Sequence, residues 1–263
     1  MTDHVAEALK DLEKNQHRRA CVQQSKVLIV SLEDDADELR RRILAQCLHH
    51  NISRPELKGW LFLSAPGAAA GKLMSTDKTG RFIRGAMADN LEAVITGRGI
   101  DLVALDPFGK SHSVEENGNS AIDEVVQVLT DLCAKHDISV DAPHHTSKGV
   151  AEPGNANRGR GASSMKDAAR LVYTLTPMNA EEEQTFGVKE EERRLLIRMD
   201  SGKVNITPSM RAAKWFRLVG VPLGNGTERP PKWRRGPGCR AMDSARYLGR
   251  SGQRSAEPYS HGH

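Results

Sequence analysis

The stretch from Ile100 to Lys148 constrains the fold more than any other. It holds an apolar run ending in LVALD at Asp106, a polar loop, and an amphipathic segment over 121–136. A second apolar run ends at Pro143, and His144 and His145 follow it. Apolar runs this short suit strands buried on both faces, and an amphipathic connection of this length returns the chain to a parallel neighbour by a right-handed crossover. Parallel strands finish on one edge of their sheet, so the carboxylate and the imidazoles are expected to face one crevice.

The pattern extends in both directions. Lys26–Leu32 (KVLIVSL) reads as another buried strand, ending at Glu33-Asp34-Asp35, where carboxylates suit the start of the following helix. That helix spans about 36–49, with Leu39, Ile43 and Leu48 expected to face inward and Glu38 and Arg42 paired four residues apart. Trp60–Ser64 reads as a short strand, 65–80 as a mobile Gly/Ala-rich loop, and 87–96 as a helix. The helix over 121–136 turns Ile122, Val125, Val126, Leu129 and Leu132 toward the core. A glycine-rich loop follows over 146–164, then strands near 171–175, 193–199 and 215–219. A helix is expected over residues 1–15. The whole reads as α/β, with a mostly parallel sheet flanked by helices.

Composition divides the chain unevenly. Residues Gly224 to His263 carry eight Lys and Arg against three Asp and Glu, so this tail holds +5 and leaves −1 on the first 223 residues, out of a total of +4. With little apolar periodicity it reads as a basic, disordered tail (224–263) behind a core over 1–223. No apolar run is long enough to span a membrane and no signal segment is present. Cys21, Cys47, Cys133 and Cys239 form no CxxC pair, which fits reduced thiols and a soluble cytoplasmic protein with no membrane contact.

Four places could carry chemistry. Asp106 ends a buried strand. Glu33 could orient a water, or could serve as a helix cap. His144 and His145 could join Asp106 on a metal, but adjacent residues of an extended chain point in opposite directions, which makes a hydrogen-bonding sensor the more natural role. Arg170, just before an apolar run, could pair with a carboxylate or reach a phosphate across a subunit boundary. An acidic strand end beside a polar sensor is how nucleoside-triphosphate engines hold Mg²⁺ and read the terminal phosphate.

The order of SLEDD, LDPF, SHSVEEN, PHHTSKG, RGASSMKDAARLVYTL, RRLLIRMDSGKVN and WFRL, from about Lys26 to Gly220, resembles the RecA-like P-loop ATPases of the RepA type. These are the hexameric replicative helicases of broad-host-range plasmids and their relatives. The resemblance implies that Glu33 polarises the attacking water and that Asp106 belongs to the Mg²⁺ site. It implies that His144 or His145, the latter favoured, senses phosphate. Arg42 falls on the family arginine after the catalytic Glu, and Arg170 on the arginine finger that serves a neighbour's nucleotide. ATP and Mg²⁺ are the implied cofactors and a ring, possibly of six copies, the implied assembly. The loops Ala65–Gly80 and Lys148–Ser163 fall where such rings meet single-stranded DNA.

One element departs from the family. No GxxxxGK[ST] motif occurs in the 263 residues. Gly67-Ala-Ala-Ala-Gly71-Lys72-Leu73 has three residues between its glycines instead of four, and Leu where a Mg²⁺-binding hydroxyl is required. The expectation is therefore a core lacking its N-terminal strand and P-loop, helicase-like and impaired in ATP binding. The alternatives are a non-catalytic DNA-associated or ring-assembly module of the same fold, and a metal hydrolase built on Asp106 and the histidines.

Overall fold

A computed structural model describes residues 24–115, 119–146, 153–158, 162–204, 213–224 and 240–244, with only the backbone at 162–163 and 240–244. The expected helix over 1–15 lies outside these residues.

Four strands form the parallel sheet: β1 (Val27–Ser31), β2 (Leu61–Ser64), β5 (Leu102–Asp106) and β6 (Ser139–Asp141), in the order β2-β1-β5-β6. Every pairing is parallel, and Ser31 lies beside Asp106 in register. The connections are helical, as parallel pairing demands. α1 (Ala36–His50) links β1 toward β2, α2 (Ala86–Arg98) precedes β5, and α3 (Asn119–His136) carries the chain from β5 to β6. Ile29, Val103, Ala104 and Leu105 are at most 2% exposed, which explains why these strands read as continuous apolar runs rather than alternating ones. The main core lies between the sheet and α2 and α3, where Leu91, Ile95, Ile122, Val125, Leu129 and Leu132 are buried.

α1 departs from its expected phase at one residue. Leu39, Gln46 and Cys47 are buried, but Leu48 is 50% exposed. At 100° per residue, Leu48 lies half a turn round from Leu39, on the solvent side. Asp35 caps the helix by accepting from the Glu38 amide at 2.7 Å, and Asn51 closes it in the left-handed conformation.

The segment over 65–80 is not an open loop. A 3₁₀ turn (Gly67–Ala70) leads into a hairpin of β3 (Met74–Thr76) and β4 (Phe82–Arg84). Leu73 is fully buried, and its amide donates to the Ser111 carbonyl at 2.7 Å, so the base of this hairpin belongs to the core. The chain after the hairpin closes tightly on this base: a side chain at Gly85 would overlap the Lys72 carbonyl.

A second, antiparallel sheet, ordered β10-β9-β8-β7, holds β7 (Leu171–Pro177), β8 (Leu196–Val204), β9 (Lys214–Gly220) and β10 (Arg240–Ser244). β8 starts later than expected because Glu190–Arg193 forms a helical turn, α6, after α5 (Ala180–Phe186). Met178, Leu196 and Trp215, with Phe186 and Val188, make a separate small core under these helices. α4 (Ala162–Ala168) lies between the two halves. Met165 packs on the main core, Ser164 Oγ donates to the Asn119 carbonyl, and Lys203 Nζ of β8 donates to the Lys166 and Asp167 carbonyls. Within the basic tail, Arg240–Ser244 pairs along β9, a strand that the tail's composition does not announce. Residues 225–239 and 245–263 lie outside the described residues.

No helix among the described residues is long and apolar enough to cross a membrane.

Candidate nucleotide-hydrolysis site

The parallel sheet brings Glu33, Asp106, His144 and His145 to one edge, because β1, β5 and β6 all end there. Backbone bonds join the three strand ends. The Leu32 amide donates to the Asp106 carbonyl at 2.7 Å, and the Phe108 amide donates to the Pro143 carbonyl at 2.8 Å. Phe108 is 1% exposed and follows a cis Asp106–Pro107 bond. Its ring meets His144 edge-on at 5.8 Å and His112 at 5.0 Å. The loop leaving β5 is therefore a packed wedge between the other two strand ends.

Glu33 is not the helix cap, since Asp35 fills that role. The Glu33 carboxylate, its side chain 43% exposed, stands 3.3 Å from Lys110 Nζ and 3.7 Å from His145 Nε2. The two histidines diverge, as extended backbone requires: His144 turns inward against Phe108, and exposed His145 approaches Glu33. Asp106 is half-buried. Desolvation pushes its carboxyl above the ordinary value, and the nearby Glu33 and Asp34 carboxylates push in the same direction, with Arg42 opposing them.

Arg42 makes the pair expected with Glu38, at 3.2 Å, and also grips Asp34 at 2.7 and 3.1 Å. This fork holds Asp34, whose amide donates to buried Ser31 Oγ, and so fixes the turn that presents Glu33. Arg170 is exposed in the bend just before β7 of the other sheet, and no contact described within one chain joins it to this cluster.

Sequence reasoning missed Lys110 and Ser31, and weighed Lys72 only as the lysine of a failed phosphate-loop match. Lys110 carries no distinguishing motif, and only the fold brings it to Glu33. Lys72 Nζ donates to the Lys110 carbonyl at 2.6 Å. It thus acts as a structural tie, and this settles the character of Gly67–Lys72. Its lysine is engaged with backbone, Ala70 and Leu73 point into the core, and Gly71 lies against Ala86 and Met87, so the segment forms no phosphate cradle.

Residues 3–151 match the family model described as AAA domain. The chain belongs to the AAA domain family. The matched range contains Glu33, Asp106, His144 and His145 and covers the whole parallel sheet of this AAA domain. Its strand ends suit a divalent cation in one respect: desolvation first, and then the neighbouring Glu33 and Asp34 carboxylates, raise the Asp106 carboxyl, and a bound cation would relieve that concentration of negative charge. They do not form a self-sufficient metal centre, since among the described residues no three His, Cys, Asp or Glu converge to hold an ion. Among the described residues, Asp106 and the histidines do not by themselves assemble a metal ligand set. Of the two loops singled out for DNA, Lys148–Ser163 is described only at Pro153–Arg158 and, in backbone, at 162–163. There the Gly154 amide donates to Thr174 Oγ1 of β7.

Proposed function

We propose that this AAA domain is a RecA-type ATPase of the RepA class, helicase-like and associated with single-stranded DNA in replication or recombination. The observation that carries this is the placement of Glu33, Asp106 and His145 along one sheet edge, with Glu33 beside His145. ATP with Mg²⁺, when bound, supplies the reactive phosphoryl group and the charge that draws in water. The chain's own residues have separate tasks. Glu33 would accept a hydrogen bond from a water and orient it, and the half-buried Asp106 carboxylate would help hold the cation when it is bound. His145 reports on the terminal phosphate through its contact with Glu33. Arg42 keeps the Glu33 turn in place, and Arg170, exposed on the second sheet, serves a neighbouring subunit of a ring.

The triphosphate grip itself does not fit the residues present, because Gly67–Lys72 forms no cradle and the 263 residues hold no GxxxxGK[ST] motif. Backbone amides of such a loop supply much of the phosphate affinity. ATP binding by this chain alone is accordingly expected to be weak and turnover slow. The test is steady-state ATP hydrolysis with and without single-stranded DNA, alongside equilibrium binding of a non-hydrolysable analogue. Slow turnover abolished by Glu33→Gln supports the assignment. Turnover unaffected by Glu33→Gln removes it, and normal fast turnover shows that another loop holds the phosphates.

A further inference from the structure

The far end of the parallel sheet carries a cleft that the nucleotide site does not use. β2 ends the sheet on the side opposite β6, and among the described residues only β1 pairs with it. Leu61 and Leu63 are two residues apart on β2 and so face the same side, that of α1. Leu61 packs on the small cluster of Ile29, Leu39 and Ala104, whereas Leu63 is 39% exposed. With Ile43 of α1 and Leu57 of the 3₁₀ turn Arg54–Leu57, they floor a cleft of about 510 Å³. The other face of β2 is closed, since Phe62 packs on the main core with the Arg98 guanidinium 5.7 Å from its ring centre.

Charge around this floor is one-sided. Arg40, Arg41, Arg54 and Lys58 line it against a single carboxylate, Asp37. Arg40 pairs with Asp37 at 2.9 Å and Arg41 with Glu38 at 2.8 Å. Arg54 and Lys58 are exposed and enter no ion pair among the described residues. Glu56, between them in sequence, accepts from the Ser53 amide at 3.0 Å.

An edge strand kept clear of partners commonly carries a charge or a proline of its own. β2 reads Leu-Phe-Leu-Ser and has neither. A backbone edge, an apolar floor and an excess of positive charge thus meet on one surface. An extended peptide satisfies all three: its backbone continues the sheet, and side chains two apart fall on one side. An apolar side chain covers Leu61 and Leu63, and carboxylates two residues away meet Arg54 and Lys58. A nucleic-acid strand brings phosphates but no apolar side chain for the floor. A second copy paired symmetrically through the same edge would set like charges against each other.

We propose that β2 and its cleft receive an acidic peptide segment of a partner protein, docked as an added strand. Its apolar anchor lies over Leu61 and Leu63, and its carboxylates meet Arg54 and Lys58. The site does not include Glu33 and stands independently of the ATPase reading.

The experiment is fluorescence anisotropy of a labelled peptide with the central sequence Asp-Thr-Leu-Thr-Asp, titrated with the full chain. Arg54→Glu combined with Lys58→Glu should weaken binding about 10-fold or more, and exchanging both Asp of the peptide for Lys should restore binding to that variant. Leu63→Ser should weaken binding about 3- to 10-fold. N-methylation of successive peptide amides should weaken binding at every second position, the signature of a strand ladder. Thermal melting of the chain variants should match the parent, because Arg54, Lys58 and Leu63 are exposed. Glu33→Gln should leave peptide binding unchanged, so this contact and the ATPase reading fail or stand separately. No binding by the parent chain, or no recovery on the charge exchange, overturns the inference. Equal binding of a peptide with Ser for Leu, which a cationic patch alone would give, overturns it as well. Self-association of the chain that Leu63→Ser removes would name a second copy as the occupant and also overturns it.

Discussion

Gly85→Ala tests the packing that joins the hairpin to the carboxylate edge. Gly85 has φ −99° and ψ 164°, a conformation open to any residue, so backbone strain is not at issue. Space is. An added methyl would overlap the Lys72 carbonyl oxygen, with the carbonyl carbon at 2.8 Å and the Leu73 carbonyl carbon at 3.4 Å. These are backbone atoms and cannot rotate away. Relief requires moving the start of α2 from residues 72–73, which stretches the bonds from the Gly85 amide to the Leu73 carbonyl (2.8 Å) and from the Met87 amide to the Lys72 carbonyl (3.1 Å). It also lifts Leu73 and Met87 out of the core. Overpacking costs about 1–3 kcal/mol and each weakened hydrogen bond about 0.5–1.5 kcal/mol, against a gain of about 0.4–1 kcal/mol from a stiffer unfolded chain. The net is a loss of about 3 kcal/mol, or about 6–12 °C in Tm for a chain of this size. Gly97→Ala, in the same helix with nothing within 4 Å of the new methyl, is the internal control and should be neutral or stabilising by up to about 1 kcal/mol. Urea unfolding of the two variants side by side gives the comparison. Equal stability of Gly85→Ala and Gly97→Ala would mean that the hairpin base does not close on α2 as described.

Three further outcomes follow from the same packing. Asp106→Asn should raise Tm at neutral pH: the folded state holds the Asp106 proton more tightly than the unfolded chain, so the ionised carboxylate costs stability above the raised folded value, and the advantage of Asn should shrink as melts are run toward about pH 4. Phe108→Ala should cost about 3–5 kcal/mol by urea unfolding, since a ring 1% exposed holds the β5 loop between the other strand ends. Leu48→Ala should change stability by less than about 0.5 kcal/mol while Leu39→Ala costs about 2–5, a contrast that checks the rotation of α1.

The parallel sheet was legible because burial on both faces leaves a plain mark, a run such as Leu28–Val30 or Val103–Leu105 with no polar interruption, and because helices of strong period lie between the runs. Boundaries there agree to within two residues. Leu48 misled because an apolar residue at the end of a helix satisfies a loose count of apolar positions while lying half a turn off the buried face. The hairpin was hidden for a different reason. Phe82 and Ile83 on β4 are exposed and only Met74 of β3 is buried, so this short ribbon has no alternation to read. The second sheet came through as separate apolar stretches whose antiparallel pairing depends on contacts far apart in sequence. At the candidate site, position alone put Glu33, Asp106 and the His144–His145 pair at strand ends on one edge, since parallel strands deliver their ends there, while the role of Glu33 and the preference for His145 came from the family resemblance. Lys110 could not be named this way, because a lysine in a loop carries no local signal and acquires its meaning only when folding sets it 3.3 Å from Glu33. The Gly67–Lys72 segment shows the converse: its letters approach a phosphate loop, yet its lysine and apolar residues are spent on packing. Spacing is what separates the two cases. One residue fewer between the glycines shortens the loop, and Leu73 stands in the core where a phosphate loop needs a hydroxyl, while Lys72 is tied to the Lys110 carbonyl instead of reaching free toward a ligand.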